Sequence, residues 1–357
     1  MAEQLNPEKV QDFAQHVIGY LGGAAVASLV YLGDRLGLYR QLDGAGALSS
    51  AELAARTHLN ERWVREWLYA QASAGLIKYS GEGKFRLPPE HAAVLADESH
   101  PAYLAGGFTQ VLSLLETSKR LPDAFRTGRG LTYDDLGEEH AIGMERFLSP
   151  WLRANLVPLV LPSLAGVTGK LRAGAKVADI GCGAGRAALA VAAAFPASEI
   201  HGYDNSTVAI ELANRNKEAA GVSNVEFHLV SAQGLPATPA FDFITAFDCL
   251  HDMTDPMAAM TAVRRALKAD GTWLIGEMNG RPTFEENLTQ HPLAPIMYSY
   301  SVLCCMSSGL SAEGGAGLGT LGLPEPRLQA MLQEAGFSQI VVHDHGHPLN
   351  IFYEVRI

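Results

Sequence analysis

The chain has 357 residues, 48% of them hydrophobic, enough for two domains of ordinary size around sizeable cores. Its 27 basic and 38 acidic residues leave a net charge of −11, which argues against a nucleic-acid surface, because binding phosphates demands Lys and Arg. The four cysteines, Cys182, Cys249, Cys304 and Cys305, form no C-x-x-C pair, so a reduced, cytoplasmic protein is expected.

Residues 1–15 are acidic and polar, unlike a signal peptide. Residues 18–32 are the most apolar run, but glycines interrupt it and Asp34-Arg35 ends it, short of the ~20 uninterrupted apolar residues of a membrane span. No membrane contact is expected. Residues 12–42 read as one or two buried helices, ending near Asp43-Gly44. The next pair of helices has Ser49 or Ser50 as the first cap and Asn60 as the second, giving a helix-turn-helix. A hairpin with Gly81-Glu-Gly83 at its tip completes a winged-helix outline. This module has two uses. Arg62 and Arg65 can enter a major groove, or Trp63, Trp67 and Tyr69 can serve packing, with Glu61 and Glu66 ill-suited to phosphates. A helical connector is expected over 101–165.

From residue 166 onward strands and helices alternate, the signature of a parallel α/β sheet. Strands are expected at Lys176–Ile180, Glu199–Asp204, 225–230, Phe241–Phe247 and 272–278, with helices such as Thr207–Ala220 and 255–268 between them. Residues 279–323 form a glycine-rich insertion that departs from the alternation. A helix over 325–335 and closing strands at Gln339–His343 and Asn350–Arg356 complete the sheet. The first strand runs into Asp179-Ile-Gly-Cys-Gly-Ala-Gly185, and the second ends on Asp204. A dinucleotide site needs G-x-G-x-x-G, yet Arg186 stands where the third glycine of that spacing would be. The turn therefore suits a ligand without a pyrophosphate that approaches the backbone closely.

With Asp179 ahead of it, the turn resembles motif I of the class I S-adenosylmethionine (SAM)-dependent methyltransferases, D-x-G-x-G-x-G. The resemblance implies a Rossmann-like seven-stranded methyltransferase sheet in an α/β fold, with an N-terminal helical winged-helix domain. It also implies SAM as cofactor and S-adenosylhomocysteine as product. It places cofactor contacts at Asp179, Gly181, Gly183, Gly185, Asp204, Asn205, Ser231, Ala232, Gln233, Phe247 and Asp248. Asp179 would orient the ammonium end of SAM, and Asp204 would accept the ribose hydroxyls.

After the fourth strand comes Phe247-Asp-Cys-Leu-His-Asp-Met-Thr-Asp-Pro256. It is similar to the His-Asp-Trp-Ser-Asp element of plant caffeate-type O-methyltransferases. It is closer still to a group of bacterial, mycobacterial-type methyltransferases with an N-terminal winged-helix dimerisation domain. The likeness implies catalytic roles for His251 as general base, Asp252, and Glu277 as the residue that orients the histidine. A second glutamate of the plant pattern is missing, since Gly322 stands at its place unless Glu325 substitutes. Domains follow at 1–100 (winged-helix dimerisation), 101–165 (connector) and 166–357 (SAM-binding, with the insertion 279–323 covering the substrate).

His16, Tyr20, His291 and Tyr298 are candidate acceptor contacts, and no metal is expected, although His343, His345 and His347 alternate at strand spacing. The function expected is methyl transfer from SAM to a small-molecule O- or S-nucleophile by a homodimer. The alternative is a SAM-responsive DNA-binding regulator without turnover.

Overall fold

The computed structural model describes residues 5–357; residues 1–4, assigned from sequence to the N-terminal domain, lie outside the described residues. The chain divides into two units, Met1–Leu112 and Ser113–Ile357, so the segment 101–165 is split between them.

In the first unit, helix α1 (Pro7–Arg35) opens where the Asn6 side chain accepts the N–H groups of Glu8 and Lys9, with Pro7 at the first helical position. It runs unbroken for 29 residues through Gly19, Gly22 and Gly23, which punctuate the apolar run without breaking the helix. A glycine weakens a helix by roughly 1 kcal/mol, which a helix of this length tolerates. By length and composition α1 is thus the one single helix among the described residues able to cross a membrane, and only 17% of its most apolar window is buried.

Helix α2 (Leu38–Leu42) follows, then strand β1 (Leu48–Ser49), helices α3 (Ser50–Thr57) and α4 (Glu61–Ser73), and strands β2 (Lys78–Gly81) and β3 (Lys84–Arg86). The three strands pair antiparallel in the order β1-β3-β2. Ser49 and Glu52 cap α3 reciprocally, and Asn60 caps α4. Val64, Trp67, Leu68 and Gln71, at helical spacing, form the buried stripe of α4. Trp67 is held by its indole N–H, which donates to the Leu29 carbonyl at 2.9 Å. Trp63 and Tyr69, read from sequence as packing residues, are instead 80% and 52% exposed, because they lie off that stripe.

The second unit is built on strands β4 (Lys176–Ile180), β5 (Glu199–Asp204), β6 (Val225–Leu229), β7 (Phe241–Phe247), β8 (Leu267–Met278), β9 (Gln339–His343) and β10 (Asn350–Arg356). Their order is β6-β5-β4-β7-β8-β10-β9, with β10 antiparallel to both neighbours and β4 to β8 parallel. Helices α5 (Glu138–Asn155), α6 (Val167–Ala173), α7 (Arg186–Ala194), α8 (Thr207–Ala220), α9 (Pro256–Ala266) and α10 (Glu325–Glu334) surround this sheet.

Residues alternate between its two faces. Val177 joins Ile200, Val225 and Phe243 in a core with α6 and α7, while Ala178 and Ile180 join Ile244 and Trp273 in a core with α9 and α10. The strand order reverses between β4 and β7, and a crevice outside the carboxyl ends of the strands is the expected consequence. The insertion folds as short helices, Phe284–Gln290, Ala294–Tyr300 and Met306–Gly309, the last two joined by a π-helical stretch, Ser301–Cys305.

Candidate functional site

The crevice at the β4/β7 reversal is a cavity of about 360 Å³ within the second unit, inside the usual range for small-molecule sites. The turn after β4 shapes its floor. Gly183 has φ +52°, and a Cβ built there would meet nothing within 4 Å, so its bare side faces open space where a ligand can lie against the backbone. Gly185 is glycine for a different reason: a Cβ there would come within 2.4 Å of the Phe227 ring. The Asp204 carboxylate at the end of β5 accepts the Gly183 N–H and the Ser206 N–H, each at 2.9 Å. It thereby ties the glycine turn to the strand that would hold a ribose.

Asp179 is buried beneath the turn and lines the crevice. Its Oδ1 accepts from Thr245 Oγ1 at 2.6 Å, while Oδ2 has no partner. Burial pushes its carboxyl up to about 7. A buried carboxylate oxygen without a donor fits a cationic ligand group, so the residues present suit the ammonium of SAM.

Asn205, Ser231, Ala232, Gln233, Phe247 and Asp248 also line the crevice, as do Gly181 and Gly183; Gly185, named with them from sequence, does not. Asp248 adopts φ +50°, accepts a hydrogen bond from the Asn350 side-chain amide, and is raised by burial to about 7.

The other wall comes from residues to which sequence reasoning gave no role. Tyr133, His140, Met144, Glu145 and Leu148 reach the crevice from the segment read only as a connector. The single local signal there is the capping box of Thr132 with Asp135, which marks a helix start and not a site. Tyr133 donates to Asp252 Oδ2 at 2.5 Å. Cys304 Sγ lies 3.4 Å from Tyr133 Oη and 3.5 Å from His140 Nε2. Burial lowers His140 to about 4, so the ring is neutral.

His251, Asp252 and Glu277 come together, but they do not share one exposure. Asp252 lines the crevice. His251 and Glu277 do not; each is 1% exposed, behind that wall. Glu277 accepts the Leu250 N–H at 3.0 Å through Oε1, and its Oε2 lies 2.6 Å from His251 Nδ1. The Cys305 thiol lies beside the ring, its sulfur within 4.8 Å of a His251 ring nitrogen. Burial alone would lower the His251 pKa, but Glu277 and Cys305 outweigh it and hold it well above the usual histidine range. Burial raises Asp252 to about 7 against the opposing pull of His251. Glu325, the sequence candidate for a second glutamate, is engaged by Gln329 within α10.

The insertion contributes Ser308 and Ser311 to the crevice. Neither His291 nor Tyr298 lines it. Tyr298 faces a second cavity with Phe284 and Asn287, because α-helical spacing turns it to the other side of its short helix. His16 and Tyr20 lie exposed on α1, their rings 5.0 Å apart, in the first unit.

Residues 171–311 match the family model described as a methyltransferase domain, and residues 24–97 match the one described as an Rv2258c-like winged helix-turn-helix domain. Among curated proteins the chain is similar to an uncharacterised methyltransferase of Bacillus subtilis, 37% identical over 109 residues, which is 30% of this chain and 42% of the relative. It is also similar to the ubiquinone biosynthesis O-methyltransferase of Thiobacillus denitrificans, 34% identical over 109 residues, 30% of this chain and 46% of that one. The chain spans about half the length of the curated relatives it matches.

Among solved structures it shares its fold with an O-methyltransferase family protein from Burkholderia thailandensis, at TM-score 0.68 and 18% identity over 99% of both chains. It shares it equally with human N-acetylserotonin methyltransferase solved in complex with SAM, at TM-score 0.68 and 16% identity over 100% of this chain and 99% of that one. Taken with the glycine turn, the Asp204 tether and the unpartnered Asp179 oxygen, these matches identify residues 171–311 as a SAM-dependent methyltransferase domain, carried with a winged helix-turn-helix domain of the Rv2258c-like kind.

Proposed function

We propose that the protein methylates a small molecule at an oxygen or sulfur nucleophile. When bound, SAM supplies a methyl group on a sulfonium, already activated for in-line displacement. Asp179 would hold its ammonium and Asp204 its ribose hydroxyls. The protein's share of the work is to align the acceptor in a dry crevice and to take its proton.

The observation that carries this reading is the Asp252 carboxyl. It faces the crevice, receives Tyr133 at 2.5 Å, and titrates near 7, where a general base works best. His251 was the base expected from sequence. Its burial behind the wall and the proton that Glu277 keeps on it favour a supporting role. We infer that the acceptor's proton passes to the ionised Asp252 carboxylate, which becomes neutral, while the charged His251 of the His251–Glu277 pair favours the ionised form that receives it; the three titrate as a coupled set. A phenol, with a pKa of ~10, needs this help more than a thiol at ~8.5.

The large apolar residues that α1 exposes, Phe13, Ile18 and Leu21 among them, support a homodimer joined through residues ~10–100 in preference to a membrane anchor. A cytoplasmic location accords with that reading and with four free cysteines. The DNA-binding alternative is not favoured: Arg62 and Arg65 of α4 pair with Glu66 and Glu61 of the same helix. The test is a screen of phenols, thiols and amines for production of S-adenosylhomocysteine. Turnover with none of the oxygen or sulfur acceptors, beside turnover with amines, would overturn the proposal.

A further inference from the structure

The edge of the sheet at β5 and β6 carries histidines and glutamates that methyl transfer does not use, beside Tyr203, which also lines the crevice. The connection from β6 to β7 holds only one turn of 3-10 helix, Ala232–Gly234, so no helix from that connection covers the α9-side face of β5 and β6. On that face the alternation of the strands brings together Glu199, His201 and Tyr203 of β5 with Glu226 and His228 of β6. His201 is buried there, His228 partly buried and Glu226 exposed.

We propose that His201, His228 and Glu226 bind a divalent transition-metal ion of the zinc type. Their ligand atoms all lie within 4.8 Å of one another. His201 Nδ1 and His228 Nε2 are 3.0 Å apart. Two nitrogens on a tetrahedral ion with bonds of about 2.0–2.1 Å would stand about 3.3 Å apart, so the rings need to part by only a few tenths of an ångström. The far nitrogen of His201, Nε2, meets Glu199 Oε1 at 2.7 Å. A proton shared with that carboxylate leaves the Nδ1 lone pair free for an ion, the carboxylate–histidine–metal arrangement of metalloproteins. Stacking of the His228 ring on Tyr203, at 4.9 Å and 22°, fixes its plane.

Glu226, exposed and mobile about its own bonds, supplies the third ligand, and water completes the set. The opposing charge is Lys176, whose Nζ lies 3.3 Å from Glu199 Oε1 and orients that carboxylate without entering the set. The bound ion would tie the edge strand β6 to β5, three residues before Asp204.

The test is titration of tag-free, chelator-stripped protein with Co2+, read by its visible d–d absorption, and with Zn2+, read by competition and by melting temperature. Wild type is expected to take up one ion per chain and to melt higher with Zn2+. His228→Gln and, on the exposed side chain, Glu226→Gln should each lose that uptake while melting cooperatively in the absence of metal. Glu199→Gln should weaken it tenfold to a hundredfold. His343→Gln with His345→Gln should leave it unchanged. Absence of stoichiometric uptake would overturn the proposal, leaving a hydrogen-bonded histidine pair. Uptake that survives His228→Gln would also overturn it, moving the ion to the buried His251, Asp252 and Cys305 group. Loss in the tail variant would do the same.

Discussion

Binding of SAM is expected to expel a proton from Asp179. Burial holds this carboxyl at about 7, and its Oδ2 has no donor. An ammonium placed beside it favours the ionised form and lowers the pKa by roughly 1–3 units. A group titrating at about 7 is roughly three-quarters protonated at pH 6.5 and roughly one-tenth protonated at pH 8. Binding at pH 6.5 should therefore release about a half to three-quarters of a proton per site, and binding at pH 8 about one-tenth. Because the ligand prefers the ionised carboxylate, affinity should rise with pH up to about 7 and level off above it. Calorimetry in buffers of different ionisation enthalpy measures the number of protons directly. The variant Asp179→Asn separates this group from Asp248 and Asp252, which line the same crevice and are also raised to about 7. Enthalpies independent of buffer at pH 6.5, or the same proton count in Asp179→Asn, would refute the reasoning.

Asp204→Ala removes a carboxylate that holds both the Gly183 N–H and the proposed ribose. A hydrogen bond to a charged group contributes about 1.5–3 kcal/mol, so SAM affinity should fall roughly tenfold to a hundredfold; unchanged affinity by calorimetry, with the fold intact, would mean the crevice is wrongly assigned. Asp252→Asn and His251→Ala should each lower turnover of a phenol by about 10²–10⁴-fold while SAM binding stays nearly intact. Wild-type turnover of a non-ionised acceptor at pH 6 to 7 in Asp252→Asn would exclude it as the proton acceptor, and in His251→Ala would exclude any role of the pair. In the wild type the rate with a phenol should climb as pH passes about 7, where Asp252 ionises. Sedimentation should find a homodimer at micromolar concentration, and truncation of residues ~10–100 should dissolve it; a monomer, or a dimer that survives the truncation, contradicts the proposed interface.

What the sequence determined by itself is what depends on near neighbours. Apolar runs bounded by turn residues located β4, β5, β7, β9 and β10, and side-chain caps at Ser49 and Asn60 located α3 and α4. The spacing of glycines from Asp179 to Gly185 marked the crevice, because a turn that admits a ligand to its backbone needs residues without a side chain at fixed intervals. Sequence reasoning stumbled where local pattern is ambiguous: the apolar run over residues 12–42 reads as buried helix although most of α1 is exposed, and Trp63 looks buried until the helix phase is known.

Only the tertiary structure decided which groups face the crevice. Tyr133 meets Asp252 across 119 residues, and no periodicity in a helical connector announces such a contact. His251 stands behind the wall because the π-helical stretch Ser301–Cys305 brings Cys305 against its ring, and packing, not spacing, sets that burial and the rise in its pKa. His201 and His228 are neighbours because β5 and β6 pair in parallel with His201 opposite Glu226, a register that depends on two separate strands settling on one core. Local propensities are written within a few residues of each position, whereas desolvation, charge pairing and ring contact arise only when distant segments pack, and those are the forces that tune a site.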